Sequence, residues 1–169
     1  RHAMHHEGVS SFKMFMAYPG VMMADDAAIF QMLRQVGADG GMVALHAENG
    51  TVIELLIKEA LEAGHTSPRY HALTRPSLME GEATHRGIRL AELAEAPIYF
   101  VHVSSNDALK HIVTARDEGI PVFAETCPHY LLFDDTVYDN DDFDTAKYVM
   151  TPPLRRPEEK KHLWRALRY

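Results

Sequence analysis

The sequence predicts an α/β fold built on a parallel sheet. Three observations lead there. Short apolar, β-prone runs alternate with helical stretches along the chain. Those runs are apolar nearly throughout, as expected of parallel strands buried on both faces. Polar side chains able to do chemistry stand at the carboxyl ends of the runs, where parallel β/α proteins gather their functional groups.

Taken in order, residues 1–7 read as the end of a helix stopped by Gly8, a common residue just past a helix terminus. The first strand is placed at Ser11–Met16. Asp25 or Asp26 can cap a helix running to about Val36, because a short carboxylate accepts from the free N–H groups of a first turn. The second strand is Met42–Ala47, and the helix Thr51–Ala63 ends at Gly64. Residues 65–78 read as a long polar loop. The helix Glu80–Ala94 is stopped by Ala96-Pro97 and leads into the third strand, Ile98–Val103. A helix over Asn106–Glu118 ends at Gly119, and Val122–Cys127 is the fourth strand. Residues 134–145 are acidic and read as a solvated insertion. Their spacing and glycine content do not fit an EF-hand calcium loop. A fifth strand, Lys147–Met150, precedes a last helix that Pro157 can open at its first turn. Such strand–helix–strand repetition implies right-handed parallel crossovers.

The composition narrows the function. A net charge of −7 gives no basic face for a nucleic acid. No run of about 18 apolar residues offers a transmembrane helix. The first residues lack the apolar core of a signal peptide. Cys127 is the single cysteine, so no internal disulfide can form, and a reducing, cytoplasmic setting is expected. The chain opens without Met, and its last helix reads as still running at Tyr169, so an internal piece of a longer protein is expected.

The strand ends carry Lys13, His46, His102 and the pair Glu125-Thr126. A lysine in an apolar strand can run its stem across the sheet and keep its head in water. If the ammonium is buried instead, its pKa falls and the neutral amine can form a Schiff base or add CO₂ to give a carbamate. A carbamate has two oxygens and can bridge two divalent metals about 3.5–4 Å apart. A single strand-end histidine is most often a hydrogen-bonded core residue. Two of them on neighbouring strands beside such a lysine match a borderline metal such as zinc, which accepts nitrogen and oxygen ligands. Of the 11 histidines, His2, His5 and His6 read as surface residues at a helix end and His129 as structural. His65, His71, His85, His111 and His162 read as solvated or capping, and Cys127 as a small core residue.

Several motifs carry a resemblance. They are Gly8-Val9-Ser10-Ser11-Phe12-Lys13-Met14-Phe15-Met16-Ala17-Tyr18, His46-Ala47-Glu48-Asn49-Gly50, and Arg75-Pro76 with Glu80-Gly81-Glu82-Ala83-Thr84. They continue with His102-Val103-Ser104, Glu125-Thr126-Cys127-Pro128 and Thr151-Pro152-Pro153-Leu154-Arg155. In this order the chain closely resembles the dihydropyrimidinase and D-hydantoinase family of cyclic amidohydrolases, over essentially its whole length.

The resemblance implies a TIM-like (β/α)₈ barrel of the metal-dependent hydrolase type. About five of its parallel strands would be present, with residues 1–169 as the central part of one catalytic domain. It implies two divalent ions, zinc by the donor chemistry, bridged by a carboxylated Lys13, with His46 and His102 on the second metal. It implies that Tyr18 holds the substrate and stabilises the oxyanion, and that the Thr151 backbone contacts the substrate imide. The reaction implied is hydrolysis of the ring amide of a dihydropyrimidine or hydantoin to an N-carbamoyl amino acid, in a homotetramer. The family's first-metal His-x-His pair and its late-strand Asp have no counterpart within residues 1–169, so this chain alone is expected to be inactive. Allantoinase and dihydroorotase share the metal logic. The latter would want a cationic group for the substrate carboxylate, and the sequence offers no clear candidate. Non-catalytic cytoskeletal relatives lose metal ligands, whereas Lys13, His46 and His102 are all retained here.

Overall fold

A computed structural model describes residues 1–140 and 142–168. Asp141 of the acidic segment and Tyr169 of the last helix therefore lie outside the described residues. The sheet consists of β1 (Ser11–Phe15), β2 (Met42–His46), β3 (Ile98–Phe100) and β4 (Val122–Ala124), hydrogen-bonded in that order. Every pairing is parallel, with Lys13 opposite Ala44, Ala44 opposite Tyr99, and Tyr99 opposite Phe123. Phe15 stands opposite His46. Parallel neighbours need a crossover, and helices supply it. A short α1 (His2–His5) precedes β1; the crossovers are α2 (Asp26–Ala38) after β1, α3 (Gly50–Glu62), α4 (Arg69–Leu73) and α5 (Ser77–Leu93) after β2, and α6 (Asn106–Asp117) after β3, while α7 (Pro128–Leu132) follows β4.

Local chemistry explains the helix ends. The Asp25 carboxylate accepts from the Ala28 N–H, the Asn49 side chain from Val52, and the Ser105 hydroxyl from Ala108. Each satisfies a first-turn donor that the helix cannot pair itself.

The core lies between the sheet and its helices. Val43, Leu45, Ile98, Phe100 and Val122 from the strands pack with Ile29, Leu33, Val36, Ile88 and Ile112 from the helices. The opposite sheet face is far less covered. Lys13 and Phe123 are exposed there, and Tyr99 is half-buried. The strands therefore alternate in burial. They are not buried on both faces as expected, because helices cover one side alone among the described residues.

Other expectations also change. No fifth strand forms among the described residues. Phe143–Tyr148 is a 3₁₀ segment, and Val149-Met150 runs on without a ladder partner. The 65–78 loop contains α4 and the first residues of α5. The acidic segment is anchored rather than wholly solvated. Tyr138 is buried in a second small core with Tyr130, Leu154 and Leu163, the last from α8 (Pro157–Ala166). The Tyr138 hydroxyl donates to the Tyr148 carbonyl at 2.7 Å.

One close approach fixes the exit of β1 against α3. A Cβ added at Gly50 would lie 2.6 Å from the Ala17 Cα and 2.9 Å from the Met16 carbonyl oxygen. The Gly50 N–H donates to that same carbonyl. Backbone cannot yield as a side-chain tip can. Gly50→Ala is expected to lower stability by about 1–3 kcal/mol through overpacking. Urea unfolding checks this, and an unchanged midpoint would show that α3 is free to move away.

Candidate metal centre

The rim at the carboxyl ends of the strands brings together most of the side chains singled out in the sequence. His46 is the last residue of β2 and is buried. His102 follows β3 by two residues. Its φ of 44° is left-handed, which turns its ring out of the strand's simple alternation. The result is an approach of His46 Nδ1 to His102 Nε2 at 3.0 Å. The other nitrogen of His46, Nε2, lies 3.0 Å from Glu48 Oε2. The second nitrogen of His102, Nδ1, is buried without a hydrogen-bond partner. Burial, then the neighbouring His46 and the charge of Lys13, push the pKa of His102 down to about 3. The ring is therefore neutral and keeps a lone pair at ordinary pH.

Tyr18 joins the pair, its ring centroid 5.2 Å from that of His46. It also has a left-handed backbone, φ 68°. Among the described residues, three non-glycine residues have positive φ, and two of them are Tyr18 and His102. Such conformations cost about 1–3 kcal/mol each and persist where the surroundings impose them. Burial raises the Tyr18 pKa, and the adjacent Thr151 hydroxyl works against that shift. The phenol keeps its proton and can donate it in a hydrogen bond. Tyr18 and Thr151 line one small cleft together with Glu48 and Arg75.

Lys13 is on the same sheet face, with Nζ 5.0 Å from the Phe15 ring centroid, and Phe15 in turn packs 5.7 Å from His46. Of the two placements open to Lys13, the one with its head in water is found. Its side chain is exposed, because nothing among the described residues covers that face of the sheet. No group of three or more His, Cys, Asp or Glu among the described residues is arranged to hold a metal ion.

Four further residues shape the rim. Glu80, at the start of α5, is buried and accepts from the Ser104 N–H at 2.8 Å and the Ser104 hydroxyl at 2.7 Å. Arg155 donates to Glu80 Oε2 at 3.1 Å, to the Ser104 hydroxyl oxygen at 2.9 Å, and to the Arg75 carbonyl. His71 was expected to be solvated or capping. Instead it is half-buried, and its Nε2 donates to the Met150 carbonyl at 2.8 Å, tethering the segment that carries Thr151. Arg75 lines the cleft with Tyr18 and Thr151, and its guanidinium donates to the His71 carbonyl at 3.1 Å. All four stand in the quoted motifs or the polar loop, but no local pattern marks their partners, which are 51 to 80 residues away for Arg155 and 79 for His71.

Fold and side chains together define a segment of a β/α barrel that carries its polar residues on the carboxyl-end rim, as barrel enzymes do. Comparison makes this more specific. The chain is 51% identical over 162 residues to a D-hydantoinase of Streptomyces coelicolor and 49% identical to one of Geobacillus stearothermophilus, with 96% of this chain aligned in each case. It superposes on the crystal structure of dihydropyrimidinase from Brevibacillus agri with a TM-score of 0.97 and 49% identity, over 98% of this chain and 36% of that one. L-hydantoinase from Arthrobacter aurescens matches with a TM-score of 0.86 at 30% identity, over 95% of this chain and 36% of that one. No family model matches the chain. Over nearly its whole length the chain is thus similar to proteins named D-hydantoinase and dihydropyrimidinase. It spans about a third of the curated relatives it matches, 35% and 34% for the first two.

The buried Glu80–Arg155–Ser104 cluster gives a direct test of what holds the rim. Removing one partner of a buried ion pair leaves the other charge uncompensated. Glu80→Ala is expected to destabilise the protein by about 3–5 kcal/mol. Chemical denaturation measures it, and a loss below about 1 kcal/mol, the scale of an exposed pair, would mean that solvent reaches Arg155.

Proposed function

We propose that the protein serves metal-dependent hydrolysis of the cyclic amide bond of hydantoins or dihydropyrimidines, giving N-carbamoyl amino acids. Residues 1–169 would supply the central strands of one catalytic barrel domain, in a cytoplasmic homotetramer acting on a small cyclic ureide. The observation that carries this reading is the convergence of His46 Nδ1 and His102 Nε2 to 3.0 Å at the rim, with Tyr18 beside them.

The donors suit zinc. Tetrahedral zinc with Zn–N bonds of about 2.0–2.1 Å sets two imidazole nitrogens about 3.3 Å apart, close to the separation found. His46 and His102 would hold one of two divalent ions. Lys13, exposed and on the same face, would add CO₂ with loss of a proton to give a carbamate bridging both. When bound, such ions polarise the ring carbonyl and lower the pKa of the attacking water. The chain's own residues do the rest. His102 stays neutral, so it does not repel a cation. Tyr18 donates its phenolic hydrogen bond to the oxygen on which charge develops. The Thr151 backbone orients the imide, and His71 steadies that segment through Met150.

Arg75 favours a second reading. A guanidinium in the cleft beside Tyr18 and Thr151 suits a substrate bearing a carboxylate, as in a dihydroorotase-like enzyme. Assaying dihydrouracil, hydantoin and dihydroorotate side by side separates the two. Preference for the neutral rings supports the proposal, and preference for the anionic ring supports the alternative.

Lys13→Ala is expected to remove both metals and most activity, with partial rescue by short carboxylic acids that replace the bridge. Metal analysis by mass spectrometry and turnover assays check it. Full metal content with normal turnover would end the carbamate assignment. Tyr18→Phe is expected to lower kcat by ~10²–10³, the usual loss for one oxyanion donor, at unchanged metal content. An unaffected kcat would make Tyr18 a packing residue.

A further inference from the structure

Glu48 is a carboxylate with almost no access to water, 1% exposed. It stands two residues beyond the end of β2. Its Oε2 is 3.0 Å from His46 Nε2, and its Oε1 has no hydrogen-bond partner. Arg155 NH2 lies 4.0 Å from that Oε1, and Arg155 is itself buried. Burying a carboxylate costs several kcal/mol unless charge and hydrogen bonds offset it. Here the guanidinium offsets the charge, and the histidine supplies the hydrogen bond.

The donor direction follows from the chemistry. An ionised carboxylate only accepts, so the hydrogen between Glu48 and His46 belongs to Nε2. A neutral imidazole carries one N–H, which leaves Nδ1 as the lone-pair nitrogen. That is the nitrogen facing His102 at 3.0 Å. In the metal-free protein His102 then donates from Nε2, and its Nδ1 is an acceptor. An acceptor is the less costly group to leave buried without a partner, as His102 Nδ1 is.

We propose that Glu48 is a positioning residue that holds His46 as the Nε2–H tautomer, so that the Nδ1 lone pair is aimed at the point where His102 converges. Arg155, shared between Glu48 and Glu80, keeps that carboxylate in place. This rests on the reading of His46 as a metal ligand, but its central claim concerns a proton that can be located without any metal. Outer partners that orient a ligating histidine are typically worth 10–100-fold in metal affinity.

The test has two arms. The first is ¹⁵N NMR of histidine-labelled, metal-free protein, in which His46 is expected to be protonated at Nε2 and not at Nδ1. In Glu48→Gln, whose amide can donate as well as accept, the two tautomers are expected to mix. The second is zinc titration against a chromogenic chelator, with His102→Ala marking which binding belongs to this site. Glu48→Gln is expected to weaken zinc at that site by about 10–100-fold. Glu48→Asp keeps the charge at a shorter reach and is expected to fall between. If Glu48→Gln does not fold, the wild-type tautomer and the Glu48→Asp titration decide. His46 found as Nδ1–H, or zinc affinity and tautomer both unchanged in the variants, overturns the proposal. A wild-type protein that binds no zinc here yet holds His46 as Nε2–H through Glu48 would overturn the metal reading and leave the positioning role standing.

Discussion

The parallel register of β1 to β4 is the constraint from which the site follows. Because all four strands run the same way, their carboxyl ends lie on one rim. Phe15 opposite His46 sets β1 and β2 level, and the β3 exit then delivers His102 to the same height. A one-residue slip in any pairing would turn each side chain to the other face. His46 would move into the apolar layer, and Leu45 would take its place on the rim. The apolar packing of Val43, Leu45, Ile98 and Phe100 against the helices resists such a slip. The site is thus held indirectly, by residues on the far side of the sheet.

Charge is the second organising element. Glu48, Glu80 and Arg155 are all buried behind the rim, a placement that is unfavourable for each alone. Together they neutralise one another in part, and Ser104 donates twice to Glu80 and accepts from Arg155. The cluster links the exit of β2, the start of α5, the loop after β3 and the segment before α8. It therefore fixes the relative positions of four parts of the chain that each contribute to the rim. The cleft beside it contains both an arginine and a tyrosine whose pKa is raised by burial, so its polar groups are directed inward and not dispersed over the surface.

The positions of strain agree with this arrangement. Tyr18 and His102 are left-handed without being glycine. Tyr18 stands three residues beyond β1 and His102 two beyond β3, where the chain turns away from the sheet. The turn after β1 is built on the Tyr18 carbonyl, which accepts from Val21, Met22 and Met23.

Much of the fold was legible in the sequence. The helices over Asp26–Ala38, Gly50–Glu62, Asn106–Asp117 and Pro157–Ala166 are local events, set by a cap at one end and periodic apolar residues along one face. Four strands were legible for the same reason. The 147–150 run is not a strand because a short apolar run becomes one only with a neighbour to pair with, and none stands beside it among the described residues. Lys13, His46 and His102 could be named because strand ends in parallel proteins point to one rim, whereas Tyr18 and Thr151 were named by the family resemblance alone. What they meet there was not legible. The Glu48–His46 contact, the Arg155 bridge to Glu80, the His71 tether and the exposure of Lys13 depend on which distant segments approach and which face remains uncovered. Sequence periodicity records that a residue is turned inward or outward. The partner that stabilises a buried charge is selected only when the chain closes on itself, and that is a property of the tertiary structure.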